Sequence, residues 1–260
     1  MTELKNICYS DTHERCLLDL YLPDADKVRN GRVPLIIWFH GGGLSGGDKG
    51  GVRPFAADIT PDGVAVCAPN YSLLPNVNFP IFIEDAAAAV ARCVSGFKDI
   101  LDEYGLGETG GIFCGGSSAG GYLSMMLCFD KRYLAVHGID SAELCGYIHG
   151  SGQPTDHFNI LNHNGIDQRR VIVSERSPLY FVGLEANLAP MVFIVSDNDI
   201  FNRLEQNRTM FRALQHFELA DNAELIELQG GHCEYERKRE EDGRTEHHRI
   251  ALDFIRKYDK

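Results

Sequence analysis

"CGGSSAGGYLSMML", residues 114–127, passes from an apolar run to a helix-forming one through a turn of small residues. Gly116, Ser118 and Gly120 form a G-x-S-x-G pattern there, after the candidate strand "GIFCGG" (111–116) and ahead of a candidate helix over 118–129. The spacing has a steric origin. A serine at the tip of a strand-to-helix turn adopts a strained backbone, so its hydroxyl stands clear of the sheet. Residues two before and two after it must be small, because strand and helix pass close together. Glycine-rich turns can match this pattern by chance, so the rest of the chain must support it.

A second glycine-rich stretch, "FHGGGLSGGDKGG" (39–51), holds seven glycines in thirteen positions, after the apolar run "PLIIWFH" (34–40). Glycine there lets backbone N–H groups approach a ligand with no Cβ in the way. The ligand could be a phosphate or a developing oxyanion. Gly41, Gly43 and Gly46 even fit the dinucleotide fingerprint G-x-G-x-x-G. That reading needs an acidic residue ending the next strand, yet "VAVCAPN" ends in Pro69 and Asn70. It also needs a helix starting among the glycines, whereas Gly46, Gly47, Gly50 and Gly51 keep the loop irregular. A Walker loop fails as well: Gly42 and Gly47 are correctly separated, but Asp48 stands where lysine is required. Acyl transfer fits both stretches, since strand-H-G-G-G about seventy residues before G-x-S-x-G is the pairing of oxyanion loop and nucleophile elbow.

The chain has 260 residues, 44% hydrophobic and 24% charged, and a net charge of −12. The length suits one large α/β domain, and the acidity argues against nucleic acid or anionic membrane as partners. The start, "MTELKNICYSDTHERC", has no basic segment followed by an apolar one, and no apolar run is long enough to span a bilayer. Eight cysteines are scattered with no C-x-x-C pair, several inside strand-like runs, which predicts buried thiols in a reducing cytoplasm.

Short apolar runs at 16–23, 34–40, 64–69, 111–116, 145–150, 190–196 and 225–229 alternate with helical patterns at 84–104, 118–129, 202–219 and 245–258. Alternation of this kind predicts one doubly wound, mostly parallel α/β domain with helices on both faces. Residues 151–185 break the rhythm. They carry no long apolar period, so they read as a small cap or binding loop, and their polar groups Gln153, Asp156, His157, Asn159, Asn162, Arg169 and Arg170 are candidates for substrate hydroxyls or carboxylates.

A serine nucleophile needs a base and a group that orients the base. Of the ten histidines, His232 in "LIELQGGHCEY" lies in a loop directly after a late strand. His247 and His248 sit in a helical pattern and are expected on its solvated face, while His149 and His157 could line a pocket. For the acid, the loop after "PMVFIVS" offers Asp197 and Asp199, one of which is expected to serve the turn. The histidines show no metal-ligand spacing, so neither a metal nor another cofactor is expected.

The chain resembles the hormone-sensitive-lipase-like α/β-hydrolase esterases in "HGGG" (40–43), "GSSAGG" (116–121), "SDNDIF" (196–201), "GGHC" (230–233) and "YSLLPNVNFPIFIEDAAAAV" (71–90). The resemblance implies Ser118 as nucleophile, His232 as base and Asp199 as acid. It further implies Gly42, Gly43 and Ala119 as oxyanion donors, and His40 as a structural residue holding the loop. Ser117 departs from the family's usual acidic residue before the nucleophile, and Ser72 from its usual arginine. A long N-terminal lipase cap is also missing, which points away from lipids toward short or compact acyl esters on soluble alcohols, with a weaker likeness to acetyl and feruloyl esterases acting on carbohydrates. An aminopeptidase or amidase using the same machinery, and a binding protein on a hydrolase scaffold, are the alternatives.

Overall fold

The run 34–40 forms the centre of a sheet. Within β3 (Arg32–Phe39), Leu35, Ile37 and Phe39 face one hydrophobic cluster, while Ile36 and Trp38 face another. A strand buried on both faces needs apolar residues throughout, which is why this run lacks polar alternation. The computed structural model describes residues 1–259. Around β3 stand β1 (Thr2–Cys8), β2 (Leu17–Leu22), β4 (Ala65–Pro69), β5 (Glu108–Ser117), β6 (Gly146–Gly150), β7 (Met191–Ser196) and β8 (Ala223–Leu228). They form one eight-stranded sheet in the order β1-β2-β4-β3-β5-β6-β7-β8. β1 and β2 run antiparallel to their neighbours and the remaining pairs are parallel.

Seven helices flank the sheet: α1 (Arg53–Ile59), α2 (Ile81–Tyr104), α3 (Ala119–Phe129), α4 (Arg132–Ala135), α5 (Phe158–His163), α6 (Arg203–His216) and α7 (Glu246–Tyr258). α2, α3 and α6 pack on one face, the last through Met210 and Leu214. α1 and α7 cover the other through Ala56, Ile59, Ala251, Leu252 and Ile255. All eleven residues of α3 are buried, as expected for a helix that is apolar all round. The doubly wound α/β expectation therefore holds. Among the described residues, no helix is long and apolar enough to cross a membrane. The eight cysteines are free thiols, six of them buried.

Three features go beyond or against the sequence reading. β1 and α1 were not anticipated. The first is an edge strand whose side chains are mostly half-exposed or exposed, and the second a short helix that follows the glycine loop and buries only Ala56 and Ile59. His247 and His248 do not face solvent: each is 2% exposed. α7 turns them inward, setting His247 against Trp38 and Phe55 at ring separations of 4.7 and 4.5 Å, and His248 Nε2 3.0 Å from Asp62 Oδ2. Residues 151–185 contain α5 and a short 3-10 turn at Pro178–Phe181, and much of their polarity is spent internally. Gln153, Asp156 and His157 are buried; Gln153 Nε2 donates to the Asp156 carbonyl, and Asp156 accepts from Ser174. Exposed Arg169 pairs with Asp167. His149, also buried, shares a hydrogen bond of 2.9 Å with Ser124 in the core.

Candidate active site

β3 and β5 lie side by side, with Phe39 opposite Gly116, so the two glycine-rich loops leave the sheet together. β4 lies on the other side of β3, which makes this the point where strand order reverses and where open α/β sheets bind ligands. The turn after β5 is as tight as its sequence implies. A Cβ on Gly116 would come within 2.5 Å of the Gly120 backbone, and one on Gly120 within 2.0 Å of the Phe39 carbonyl oxygen. Between them Ser118 holds φ 56° and ψ −111°, a left-handed backbone rare for a non-glycine residue. Its N–H donates to the Gly150 carbonyl on β6 at 2.7 Å, one of the bonds that hold the strained tip in place.

His232 and Asp199 come from the loops after β8 and β7. The Gly230 N–H donates to Asp197 Oδ1 at 3.0 Å, and the Asn198 N–H to the Gly230 carbonyl at 3.1 Å, which stitches these loops together. Asp197 is thus the turn residue and Asp199 is the carboxylate left to meet the histidine. His232 Nδ1 lies 2.5 Å from Asp199 Oδ1, and His232 Nε2 lies 2.8 Å from Ser118 Oγ. The three residues, far apart in sequence, form one continuous hydrogen-bonded chain. Asp199 Oδ2 also accepts the Ser151 hydroxyl at 2.7 Å, and Ser151 in turn accepts from Tyr235 at 3.2 Å. Burial alone would raise the Asp199 pKa. Hydrogen bonds from His232 and Ser151, together with the charges of His232 and the buried Arg203, outweigh it and hold the carboxyl below its ordinary range. Burial draws Arg203 itself down to about 10.

Opposite Ser118, Gly42 takes φ 119°, and a Cβ on it would meet the Gly46 carbonyl oxygen at 2.2 Å. The Gly42 and Gly43 N–H groups donate to no protein acceptor among the described residues, and that of Ala119, first in α3, has no intrahelical partner. Three amides near the serine are therefore uncommitted. Their loop is braced from several sides. His40 Nδ1 is 2.6 Å from the Gly41 carbonyl oxygen and its ring stacks on Tyr71. Arg15 donates to the Gly47 carbonyl, and Asn159 of α5 to that of Gly43 at 2.6 Å. Lys49, behind the loop, forms a buried ion pair with Asp19 of β2 at 2.6 Å.

A pocket of about 500 Å³ opens at Ser118 and His232. Trp38, Val52, Pro54, Phe55 and His247 supply apolar and aromatic wall, and Asp48, Glu236 and Arg237 its charges. No residue of 151–185 lines it: of the polar groups anticipated there as a substrate surface, Gln153, Asp156, His157 and Asn159 brace the framework, while Asn162, Arg169 and Arg170 are exposed elsewhere. Glu236 was not anticipated. It ends the short turn after His232, and its Oε1 accepts the Ser117 hydroxyl. Burial raises its carboxyl to about 7. No local pattern marks Glu236, because its partner lies 119 residues away. Among the described residues, no group of three or more histidines, cysteines or acids is placed to hold a metal ion.

Residues 18–143 match the profile of the BD-FAE family, a family of α/β-hydrolase esterases. Three solved structures share the whole architecture. Esterase B from Lactobacillus rhamnosis HN001 has a TM-score of 0.73 at 18% identity, covering 99% of this chain and 84% of its own. A truncated carbohydrate esterase from gut microbiota gives 0.72 at 19%, with 99% and 96% covered. The propionate-bound esterase Est2 of Thermogutta terrifontis gives 0.71 at 19%, with 97% and 93% covered. The chain has the α/β-hydrolase fold. No curated protein matches its sequence. The profile match includes Gly42, Gly43, Ser118 and Ala119, whereas Asp199 and His232 fall beyond it.

The buried histidines of the protein make its stability sensitive to acid. Burial lowers His40 to about 4 and His149 and His247 to about 3, and lowers His157 as well. In the unfolded chain each returns to about 6.5. Between pH 6.5 and 4 the unfolded state therefore binds more protons, and stability present above 6.5 is lost as pH falls. Glu236, with its raised pKa, works in the opposite direction, but it is one group against four. The urea midpoint is expected to drop clearly between pH 7 and pH 5; an unchanged or higher midpoint at pH 5 would contradict this.

Proposed function

We propose that the protein is a serine carboxylic-ester hydrolase acting on short or compact acyl esters. The observation that carries the reading is the hydrogen-bonded chain Ser118–His232–Asp199 facing uncommitted amides at Gly42, Gly43 and Ala119. Ser118 Oγ attacks the ester carbonyl while His232 Nε2 takes its proton. Asp199 keeps the remaining imidazole proton on Nδ1 and stabilises the imidazolium. The three amides accommodate the tetrahedral oxyanion as its charge develops. His232 then protonates the departing alcohol, and the same base delivers water to the acyl-enzyme. No step requires a metal or other cofactor.

The compact acyl preference is supported by the pocket. Its roughly 500 Å³ is bounded partly by Asp48, Glu236 and Arg237, against which a long acyl tail would recover little transfer energy. The structural neighbours lean the same way: one holds propionate, one was inhibited with a tributyrin phosphonate, and one is a carbohydrate esterase. A soluble small-molecule ester is the partner this reading requires, with acylated carbohydrates first among those to try. The net charge of −12 disfavours anionic membrane or nucleic acid. Eight free thiols suit a reducing compartment such as the cytoplasm.

Two measurements test the reading. A fluorophosphonate should label Ser118 covalently, as paraoxon phosphorylates the Thermogutta esterase. Across acetyl, butyryl, octanoyl and palmitoyl esters, kcat/KM should peak at acetyl or butyryl and decline thereafter. A rise toward palmitoyl, or activation at an oil–water interface, overturns the compact-acyl assignment. Faster cleavage of matched amides than esters would replace the esterase by an amidase.

A further inference from the structure

Glu236 occupies a position that the reaction as described does not use. One carboxylate oxygen accepts the hydroxyl of Ser117, the residue directly before the nucleophile. Its other oxygen has no protein donor among the described residues, although the side chain lines the pocket beside Ser118 and His232. A carboxylate anchored next to the reacting serine, with one oxygen left without a protein donor, offers a fixed acceptor to whatever the pocket binds. The wall supplied by Trp38 and Phe55 offers no acceptor for a substrate hydroxyl, and the Asp48 carboxylate already accepts from the Gly50 N–H and Asn70.

We propose that Glu236 is a specificity-determining residue, whose unpaired oxygen selects esters carrying a hydroxyl a few atoms from the scissile bond. This rests on the ester-hydrolase reading. Bound through Ser117, the carboxylate cannot swing away from the elbow, so the acceptor keeps a fixed position relative to Ser118 Oγ. A substrate hydroxyl that reaches it makes a charge-assisted hydrogen bond and orients the ester carbonyl. An ester lacking that donor leaves the carboxylate desolvated and unpaired, and is discriminated against.

The other ionisable groups lining the pocket are His40, Asp48, His232, Cys233, Arg237 and His247. Burial takes His40 and His247 down to about 4 and 3 and lifts Cys233 to about 12. The Asp48 carboxyl lies below its usual range: burial would raise it, but hydrogen bonds from Asn70 and the Gly50 N–H prevail. None of these four changes charge near pH 7, where Glu236 does. The base His232 serves both esters alike.

The experiment compares 2-hydroxyethyl acetate with 2-methoxyethyl acetate, which differ by capping the donor. In the wild-type protein the ratio of their kcat/KM values should favour the hydroxyl ester and rise as pH passes upward through 7. In Glu236→Gln, with a neutral amide in place of the carboxylate, the ratio should fall about tenfold at pH 8 and lose its pH dependence. An unchanged ratio in the variant, or a flat ratio from pH 5 to 9 in the wild type, overturns the inference. Should the variant fail to fold, the wild-type profile decides alone. If the wild type turns over neither ester and takes no fluorophosphonate, the ester-hydrolase reading falls and this inference with it; good turnover with a flat ratio removes the inference only.

Discussion

Ser118→Ala is expected to lower kcat by about 10⁴–10⁶-fold and to abolish fluorophosphonate labelling. The elbow explains why nothing can replace it. The φ of 56° aims the side chain of residue 118 away from the sheet and at His232 Nε2, a direction Ser117 cannot share because it belongs to β5 and donates to Glu236. Ser117→Ala removes only that donor and should cost at most about tenfold. The pair of mutants is diagnostic. If Ser117→Ala were the dead enzyme and Ser118→Ala the active one, the register of the elbow would be wrong by one residue and the triad with it.

Asp199→Asn is expected to reduce kcat by about 10⁴-fold while the circular dichroism spectrum stays that of the parent. The amide can still accept from Ser151 through its carbonyl, so the local packing keeps its partner. Its NH2 group, however, donates to His232 Nδ1 and shifts the proton to Nε2, where it blocks removal of the Ser118 proton. Asp197→Asn should be mild, because an asparagine carbonyl accepts the Gly230 N–H as well as a carboxylate does. Activity near wild type in Asp199→Asn would mean that another group orients the base.

Different physical causes made some of this legible in sequence and hid the rest. Gly116 and Gly120 could be read because their environment tolerates no side chain, a constraint that leaves a residue-level mark. The strands from β3 to β7 could be read because burial on both faces of a parallel sheet demands continuous apolar runs. β1 could not, because an edge strand with mostly exposed or half-exposed side chains leaves little hydrophobic pattern. His247 and His248 misled for a related reason: a polar residue on a helix reads as solvent-facing, but α7 turns that side toward Trp38 and Asp62. Asp199 was separable from Asp197 by likeness to a family, and by geometry once the stitched loops showed which carboxylate was already occupied. Glu236, Ser151 and Arg203 act through partners between 48 and 119 residues distant, and no window along the chain brings those together.

The grip of Asn159 on the Gly43 carbonyl has a consequence for anyone wishing to alter what this protein accepts. Residues 151–185 would be the natural target of a mutagenesis library, as the longest excursion from the sheet. Yet changes there would loosen the scaffold behind the oxyanion amides and return mostly inactive clones. Diversity placed at Phe55 and Arg237, which line the pocket without being fully buried, would instead reshape the chamber while leaving those supports untouched. In this molecule the evolvable surface and the conspicuous loop are different parts of the chain.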